Sequence, residues 1–247
     1  MDGVIRQASR PEAVGAARGF GAAALQVTLG RTDGGKILLS DAGLQERLLA
    51  ESAAHKVPIA STYIDLLHVH CLKNDPQAPS DILEGIHITR NLKARVLMTV
   101  FFGQCAIANR KERDYVADVF RELAPEAAKS GVILGFENLL TAGDQAQVMD
   151  RVASDAFRIY YDVGNATNMV GVDAPDEIRR LGRDRICEFH FKDKGYLGEG
   201  KVNFPEVLHA VNEIGFRGYA MLETSSPSGD FGVDLKRNMD YLKGLMA

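Results

Sequence analysis

Seven apolar, often β-branched runs alternate with segments of helical period along the whole chain. The strand-like runs are residues 22–29, 57–64, 95–102, 131–136, 157–161, 186–191 and 218–222. The helical segments are roughly residues 11–19, 41–55, 79–93, 109–129, 143–153, 173–182, 203–214 and 231–245. Several of the strand-like runs are apolar on both faces, as parallel strands covered by helices should be. The alternation therefore predicts an α/β fold with a parallel sheet.

Residues that commonly start or end helices stand at the predicted boundaries. Ser40-Asp41 and Pro79-Ser80-Asp81 precede two helical segments, and Asn203 precedes a third. Side-chain oxygens at such positions accept hydrogen bonds from the first turn of a helix. Three helical segments are followed by a glycine that suits a left-handed C-cap, namely Gly131, Gly182 and Gly215.

The number of alternating units favours a closed barrel over an open sheet. Open doubly wound sheets usually have about five or six strands, whereas eight βα units in about 250 residues are the size of a TIM barrel. The chain has 247 residues, but only residues 3–7 (GVIRQ) precede the first helical segment, and their apolar content is thin. We therefore predict a single (β/α)8 TIM barrel domain over residues 1–247, with strand one short or degenerate.

Composition restricts the function classes. The hydrophobic share of 46% and the net charge of −4 indicate a globular domain without the basic surface of a general nucleic-acid binder. No apolar run approaches the roughly 18 residues of a membrane span, and the first ten residues lack a signal-peptide core. Cys71, Cys105 and Cys187 are odd in number and widely spaced, which is typical of a reducing cytoplasm. We expect a cytoplasmic enzyme with no nucleic-acid or membrane partner.

Four consecutive predicted strands end in an ionisable residue. Glu137, Asp162, His190 and Glu223 follow one another at intervals of about one βα unit. In a TIM barrel the chemistry lies at the C-terminal ends of the strands, so these side chains are expected at one rim. A lone carboxylate there is more often a helix cap, and a lone histidine more often a core residue. Their repetition in four successive units instead favours a shared site.

A divalent metal ion explains this combination of side chains. Three carboxylates buried together are very unfavourable without a compensating cation. One imidazole and three carboxylates suit Mn²⁺, Mg²⁺ or Co²⁺, and Zn²⁺ less well. The sequence therefore predicts a metal site made of Glu137, Asp162, His190 and Glu223.

Four motifs resemble a known superfamily. GFENLL, YYDVGNATN, EFHFKDKGYLGEGKVNF and AMLETSS occur in that order from residue 135 to residue 226. They are similar to the xylose isomerase-like TIM barrels, a superfamily of sugar phosphate isomerases and epimerases that includes ketose 3-epimerases, hydroxypyruvate isomerases and inosose dehydratases. The resemblance implies that the four predicted ligands bind one divalent metal and that Glu137 and Glu223 transfer protons. It also implies a small sugar or sugar phosphate as substrate, a role in carbohydrate metabolism and a homo-oligomeric assembly.

The same constellation serves three reaction outcomes. A metal acts as a Lewis acid on the developing enediolate, while two carboxylates take and return a proton. Return to the other face gives epimerisation, and return to the neighbouring carbon gives aldose–ketose isomerisation. Loss of a group β to the acidic C–H gives a lyase or dehydratase, which is the alternative function on a keto-sugar or keto-inositol.

Two positions depart from the ketose 3-epimerase pattern. Asn165 stands where those enzymes carry a histidine, and Lys192, Asp193 and Lys194 stand where they carry an arginine. Asn165 can still hydrogen-bond a substrate hydroxyl. Lys192 is two residues after His190, so on a strand it faces the same side and is a candidate for a substrate phosphate or hydroxyl. The departures argue against a free-ketose 3-epimerase of the usual type.

Further substrate contacts are expected from the loops of two earlier strands. His68 and His70 follow the run 57–64, and either can contact the sugar or remain an ordinary loop residue. Phe102 ends the run 95–102 and could form an apolar wall against sugar carbons. Asn138 either orients Glu137 or caps its own loop.

The sequence gives less support to two other function classes. An apurinic-site endonuclease shares this barrel but needs additional metal ligands and a basic DNA-binding face. A non-catalytic sugar-binding barrel would not need four intact ligands, although a degenerate first strand would favour it.

Overall fold

The computed structural model describes residues 1–246 and contains seven parallel strands. They are β1 (Leu25–Thr28), β2 (Ile59–Tyr63), β3 (Val96–Val100), β4 (Ile133–Glu137), β5 (Phe157–Asp162), β6 (Ile186–Phe191) and β7 (Ala220–Leu222). Each strand is hydrogen-bonded to the next one along the chain, in the order β1 to β7. The seven predicted strands are confirmed, and they form a nearly closed α/β barrel.

In the described part of the chain, eight helices lie at the predicted places, and one short helix of three residues was not predicted. The helices of residues 1–246 are α1 (Glu12–Gly19), α2 (Ala42–His55), α3 (Ala78–Asn91), α4 (Arg110–Ser130), α5 (Ala142–Val152), α6 (Val163–Asn165), α7 (Ala174–Leu181), α8 (Phe204–Glu213) and α9 (Phe231–Met246). As predicted, Asp41 and Asn203 cap α2 and α8 by accepting hydrogen bonds from backbone N–H groups. Gly131 ends α4 in the left-handed conformation, with φ 69°.

One predicted helix start is wrong in detail. The Asp81 side chain does not cap α3, which begins at Ala78 after an N-cap residue, Gln77, that makes no side-chain capping bond. The Asp81 carboxylate is buried and lies 2.6 Å from Nδ1 of His70. Asp81 thus binds a histidine of the preceding loop and does not cap its own helix.

The position predicted for strand one is occupied by turns. The nitrogen of Asp2 donates to the carbonyl of Gln26 in β1, and that of Met1 lies 3.4 Å from the carbonyl of Leu222 in β7. Beyond Asp2 the chain curls, because Arg6 has φ 56° and Ser9 has φ 61°, which are incompatible with a strand. The segment 3–7 is therefore not a strand.

The buried carboxylate of Asp2 holds this segment in place. It accepts hydrogen bonds from the backbone N–H groups of Ser9 and Thr28, both at 2.8 Å, and from the Thr28 hydroxyl at 2.7 Å. These bonds fix the start of the chain beside β1.

The cysteine pattern also differs from the expectation of a fully reduced chain. Cys71 and Cys105 form a disulfide between the loops that follow β2 and β3, and Cys187 is free. Thirty-four positions separate the bonded cysteines in sequence. The pairing follows from the adjacency of β2 and β3, which brings their C-terminal loops together at the barrel rim.

None of the helices in residues 1–246 combines the length and the apolar character that a membrane crossing requires.

Candidate metal centre

Four side chains converge at the C-terminal rim of the barrel. Glu137 ends β4, Asp162 ends β5, His190 lies in β6, and Glu223 directly follows β7. One ligand atom from each lies within 4.8 Å of those from the others. From Nδ1 of His190, the nearest carboxylate oxygens are 3.0 Å (Glu137), 3.5 Å (Glu223) and 3.8 Å (Asp162) away. The structure thus brings together the four residues that the sequence singled out.

The backbone ladder fixes this convergence. Asp162 and His190 are paired in register across β5 and β6, and Glu137 is paired with Val100 across β3 and β4. The backbone N–H of Glu223 donates to the carbonyl of Phe191 at 3.2 Å. The strand ends are therefore held at one level by main-chain hydrogen bonds, independently of side-chain rotamers.

Gln26 orients the imidazole of His190 from inside the barrel. Nε2 of Gln26 donates to Oγ of Ser61 and to the hydroxyl of Tyr160. Its Oε1 then faces Nε2 of His190 at 3.2 Å and can only accept a hydrogen bond. The proton of the neutral imidazole therefore belongs on Nε2, which leaves Nδ1 free to bind a metal ion.

Burial and charge separate the pKa values of the cluster. Burial raises the pKa of Glu137 to about 7, against the opposing charge of His190. Burial alone would raise the pKa of Asp162, but the neighbouring His190 and Lys192 outweigh it and hold it at about 2. Burial likewise opposes the charged imidazole, but Glu137 and Glu223 raise the pKa of His190 to about 10. One rim thus holds an ionised carboxylate beside one that titrates near neutral pH.

Lys192 joins the cluster. Its Nζ lies 2.8 Å from Oδ2 of Asp162 and 2.5 Å from Oε2 of Glu223. Gly164, in the turn after β5, allows this approach, because a Cβ there would lie 2.7 Å from the carbonyl oxygen of Lys192. Lys192, which the sequence predicted to contact the substrate, therefore lies in contact with two of the predicted metal ligands.

The donor set fits a hard divalent cation. Ligand atoms around Mg²⁺ lie about 2.0–2.1 Å from the ion, so opposite ligands are roughly 4 Å apart. The separations of 3.0–3.8 Å from Nδ1 of His190 are of that size. Oδ2 of Asp162 is buried and accepts no hydrogen bond of good geometry, although Lys192 is close. Such an oxygen is available to a cation, and these four residues form a candidate metal site.

Three other predicted substrate contacts are His68, Phe102 and Asn165. His68 accepts or donates a hydrogen bond with the Tyr63 hydroxyl at 2.5 Å, and its ring lies 6.4 Å from that of Phe102. These two rings stand on neighbouring rim loops. Burial lowers the pKa of His68, and the negative charge of Glu223 partly offsets this effect. Asn165 is buried, and its backbone N–H donates to Oδ1 of Asp162.

Two of the proposed roles are not supported by contacts in the structure. Nδ1 of His70 is engaged by Asp81 of α3. Within residues 1–246, His70 makes no contact with the four predicted metal ligands. Oδ1 of Asn138 accepts a hydrogen bond from the backbone N–H of Leu140, and its amide donates to the carbonyl of Phe136. Asn138 thus caps its own loop.

Sequence reasoning missed Gln26 and Tyr160. Tyr160 packs edge-on against the His190 ring, with ring centroids 4.6 Å apart. A polar amide in the middle of the apolar run 22–29 was the available signal, because such a group must find a buried partner.

Comparison with known proteins identifies the family of this chain. The family model described as the xylose isomerase-like TIM barrel matches residues 14–245. The chain belongs to this family. The resemblance seen in the sequence motifs is confirmed, and so is the barrel fold. A search of curated proteins finds no match.

Solved structures of similar fold include several epimerases. D-allulose 3-epimerase from Methylomonas sp. is 17% identical, with a TM-score of 0.78, over 95% of this chain and 91% of its own. An L-ribulose 3-epimerase is 18% identical, with a TM-score of 0.77, over 97% and 90%. The 3-keto-D-glucoside 4-epimerase from E. coli is 15% identical, with a TM-score of 0.77, over 95% and 94%. At these identities the likeness establishes the fold.

Proposed function

We propose that this protein is an isomerase: a divalent-metal-dependent sugar or sugar phosphate epimerase or aldose–ketose isomerase. The observation that carries the proposal is the cluster of Glu137, Asp162, His190 and Glu223, whose ligand atoms lie within 4.8 Å of one another. The epimerases of similar fold support the reaction class.

Glu137 and Glu223 are proposed as the two acid–base groups. The pKa of Glu137, raised to about 7, lets it hold or release a proton near neutral pH, as a general acid–base requires. Glu223 differs in its environment, because its side chain is 36% exposed while that of Glu137 is 3% exposed. Two carboxylates in unlike surroundings can take a proton from one face of a carbon and return it to the other.

A bound divalent cation would supply Lewis-acid stabilisation to the negative charge that develops on the substrate oxygens. Asp162, His190 and the two glutamates would hold it, with Gln26 fixing the tautomer of His190. Mn²⁺, Mg²⁺ and Co²⁺ suit this donor set best, and Zn²⁺ is the less favoured choice.

Lys192 is proposed to bind the substrate. Its ammonium group is paired with Asp162 and Glu223, and a cation taken up by those carboxylates would compete with it. The released ammonium would then be available to a substrate hydroxyl or phosphate oxygen at the same rim. Asn165, His68 and Phe102 are proposed as further contacts. His70 is kept as a predicted substrate contact, although its Nδ1 is engaged by Asp81.

A metal-dependent lyase or dehydratase acting on a keto-sugar or keto-inositol is the second candidate. The observation that favours it is the departure from the ketose 3-epimerase pattern: Asn165 stands in place of a histidine, and Lys192, Asp193 and Lys194 stand where those enzymes carry an arginine. The same two glutamates could abstract the proton, and a β-leaving group would then depart.

We also propose that the protein folds as a single domain over residues 1–247, forms a homo-oligomer, and has no nucleic-acid or membrane partner. The cytoplasmic location was inferred from cysteine usage, and the Cys71–Cys105 disulfide weakens that inference, since disulfides persist mainly in oxidising compartments.

Product analysis tests the proposed reaction. The protein, loaded in turn with Mn²⁺, Mg²⁺ and Co²⁺, is incubated with ketoses, ketose phosphates, keto-glycosides and keto-inositols, and products are identified by NMR. An epimer or aldose supports the proposal, whereas an unsaturated or dehydrated product assigns the lyase alternative. Conversion that persists unchanged after removal of all metal contradicts both.

A further inference from the structure

A second concentration of charge lies at the opposite end of the barrel from the metal centre. A cavity of about 570 Å³ opens among the N-terminal ends of the strands. Its lining includes five cationic side chains, those of Lys93, Arg95, Arg158, Arg183 and Arg217, and two carboxylates, those of Asp184 and Glu188. The lining therefore carries three surplus positive charges in a protein whose net charge is −4.

Most of these cations are not neutralised locally. Arg183 is paired with Asp184 at 3.3 Å. The nitrogen atoms of the other four lie beyond 4.0 Å from every carboxylate in the described part of the chain. Nε of Arg158 is buried and makes no hydrogen bond there, and Nη1 of Arg217 donates only to the carbonyl of Phe216. Arg95 and Arg217 are exposed and Arg158 is half-buried. Guanidinium groups without a carboxylate partner around one cavity are suited to an anionic ligand.

The cavity is separate from the metal centre. Arg158 is near the start of β5, whereas the predicted ligand Asp162 ends the same strand. Four residues of extended strand span roughly 13 Å. An anion held by Arg95 and Arg158 would therefore not reach the metal ligands.

We propose that this cavity binds a small polyanion of the phosphate-ester class. The volume is in the range of about 300–1,000 Å³ that is usual for small-molecule sites, which favours a metabolite over a macromolecular surface. Apolar residues such as Ile133 and Ile186 form part of the wall and would face the uncharged part of such a ligand. Planar guanidinium groups bind phosphate oxygens in pairs, which provides the specificity.

Calorimetric titration of the metal-free protein with inorganic phosphate tests the proposal. We expect a dissociation constant of about 1 mM or below, and binding weakened at least tenfold in an R95Q/R158Q double variant and in R217Q. R121Q is the matched control, because Arg121 is an exposed arginine paired with Asp118 on α4. Unchanged Mn²⁺ binding and far-UV circular dichroism show whether each variant is folded.

Three results would overturn the proposal. The first is no detectable binding at a phosphate concentration 10-fold above the expected dissociation constant. The second is equal phosphate binding by folded R217Q and by R121Q. The third is phosphate binding that K192M removes and R217Q keeps. The last result would place the anion at the metal centre. Because the titration uses neither metal nor sugar, its outcome is independent of the proposed isomerase activity.

Discussion

At the scale of single residues, the direction of the His190 imidazole decides whether the carboxylates can share a cation with it. Gln26 sets that direction, since its amide N–H groups are engaged by Ser61 and Tyr160 and only its oxygen faces His190. We therefore expect the metal affinity of the proposed site to depend on a residue that contacts none of its carboxylates.

Replacement of this amide tests the dependence. Q26L removes the acceptor for Nε2–H of His190, and we expect about 10- to 100-fold weaker Mn²⁺ binding, measured by calorimetry. Q7L changes the same residue type outside the barrel interior and serves as the control. Equal affinity of Q26L and the unmodified protein would show that Gln26 does not orient the ligand.

Proton release on metal binding follows from the shifted pKa values. Glu137, with a pKa of about 7, and His190, with a pKa of about 10, are largely protonated below pH 7 and must lose those protons to bind a metal ion. Mn²⁺ affinity should therefore rise as pH increases from about 5 to 8. Calorimetry in buffers of different ionisation enthalpy counts the released protons, and a pH-independent affinity without proton release would contradict the assignment.

At the scale of elements, α6 and the residue that follows β6 approach each other too closely for a side chain at Gly164. In G164A the new Cβ would lie 2.7 Å from the carbonyl oxygen of Lys192. We expect a loss of about 1–3 kcal/mol in the free energy of unfolding, together with weaker Mn²⁺ binding, because β6 also carries His190. G143A is the control, since its nearest neighbour is 3.9 Å away. Urea unfolding measures the difference, and equal stability of both variants would contradict the close approach.

The disulfide joins two rim loops that carry candidate substrate contacts. Breaking the Cys71–Cys105 bond in a C71S/C105S variant frees a loop of 34 positions in the unfolded chain, and we expect a loss of about 3–4 kcal/mol in the free energy of unfolding. C187S controls for loss of a thiol. If unmodified protein with and without reductant unfolds at the same urea concentration, the bond does not contribute in solution.

At the scale of the whole molecule, the sequence was sufficient for the features that repeat. Apolar β-branched runs identified all seven strands, and the repeat of βα units placed Glu137, Asp162, His190 and Glu223 at one rim. A period along the chain is a local property, so it is readable without knowing the fold.

Features that depend on one long-range contact were not predictable in the same way. The turns at residues 3–7 follow from the Asp2 carboxylate and its bonds to Ser9 and Thr28, and the sequence alone suggested a short strand there. His70 was predicted either to contact the substrate or to be an ordinary loop residue, and Asp81, 11 positions away on α3, engages its Nδ1. The sequence near a loop histidine does not indicate which side chain it will contact in the folded protein.

In the proposed reaction, Glu137 and Glu223 exchange a proton next to a substrate carbonyl with the help of a bound divalent metal. Deuterium wash-in, followed by NMR in D₂O with Mn²⁺ and a panel of ketoses, ketose phosphates and keto-glycosides, measures this exchange directly. We expect EDTA-sensitive deuterium incorporation beside the carbonyl, reduced about 10³-fold in E137Q and E223Q and unchanged in the surface control E122Q. Deuterium incorporation that E137Q and E223Q retain in full would contradict their acid–base role, and incorporation that EDTA does not affect would contradict the metal dependence.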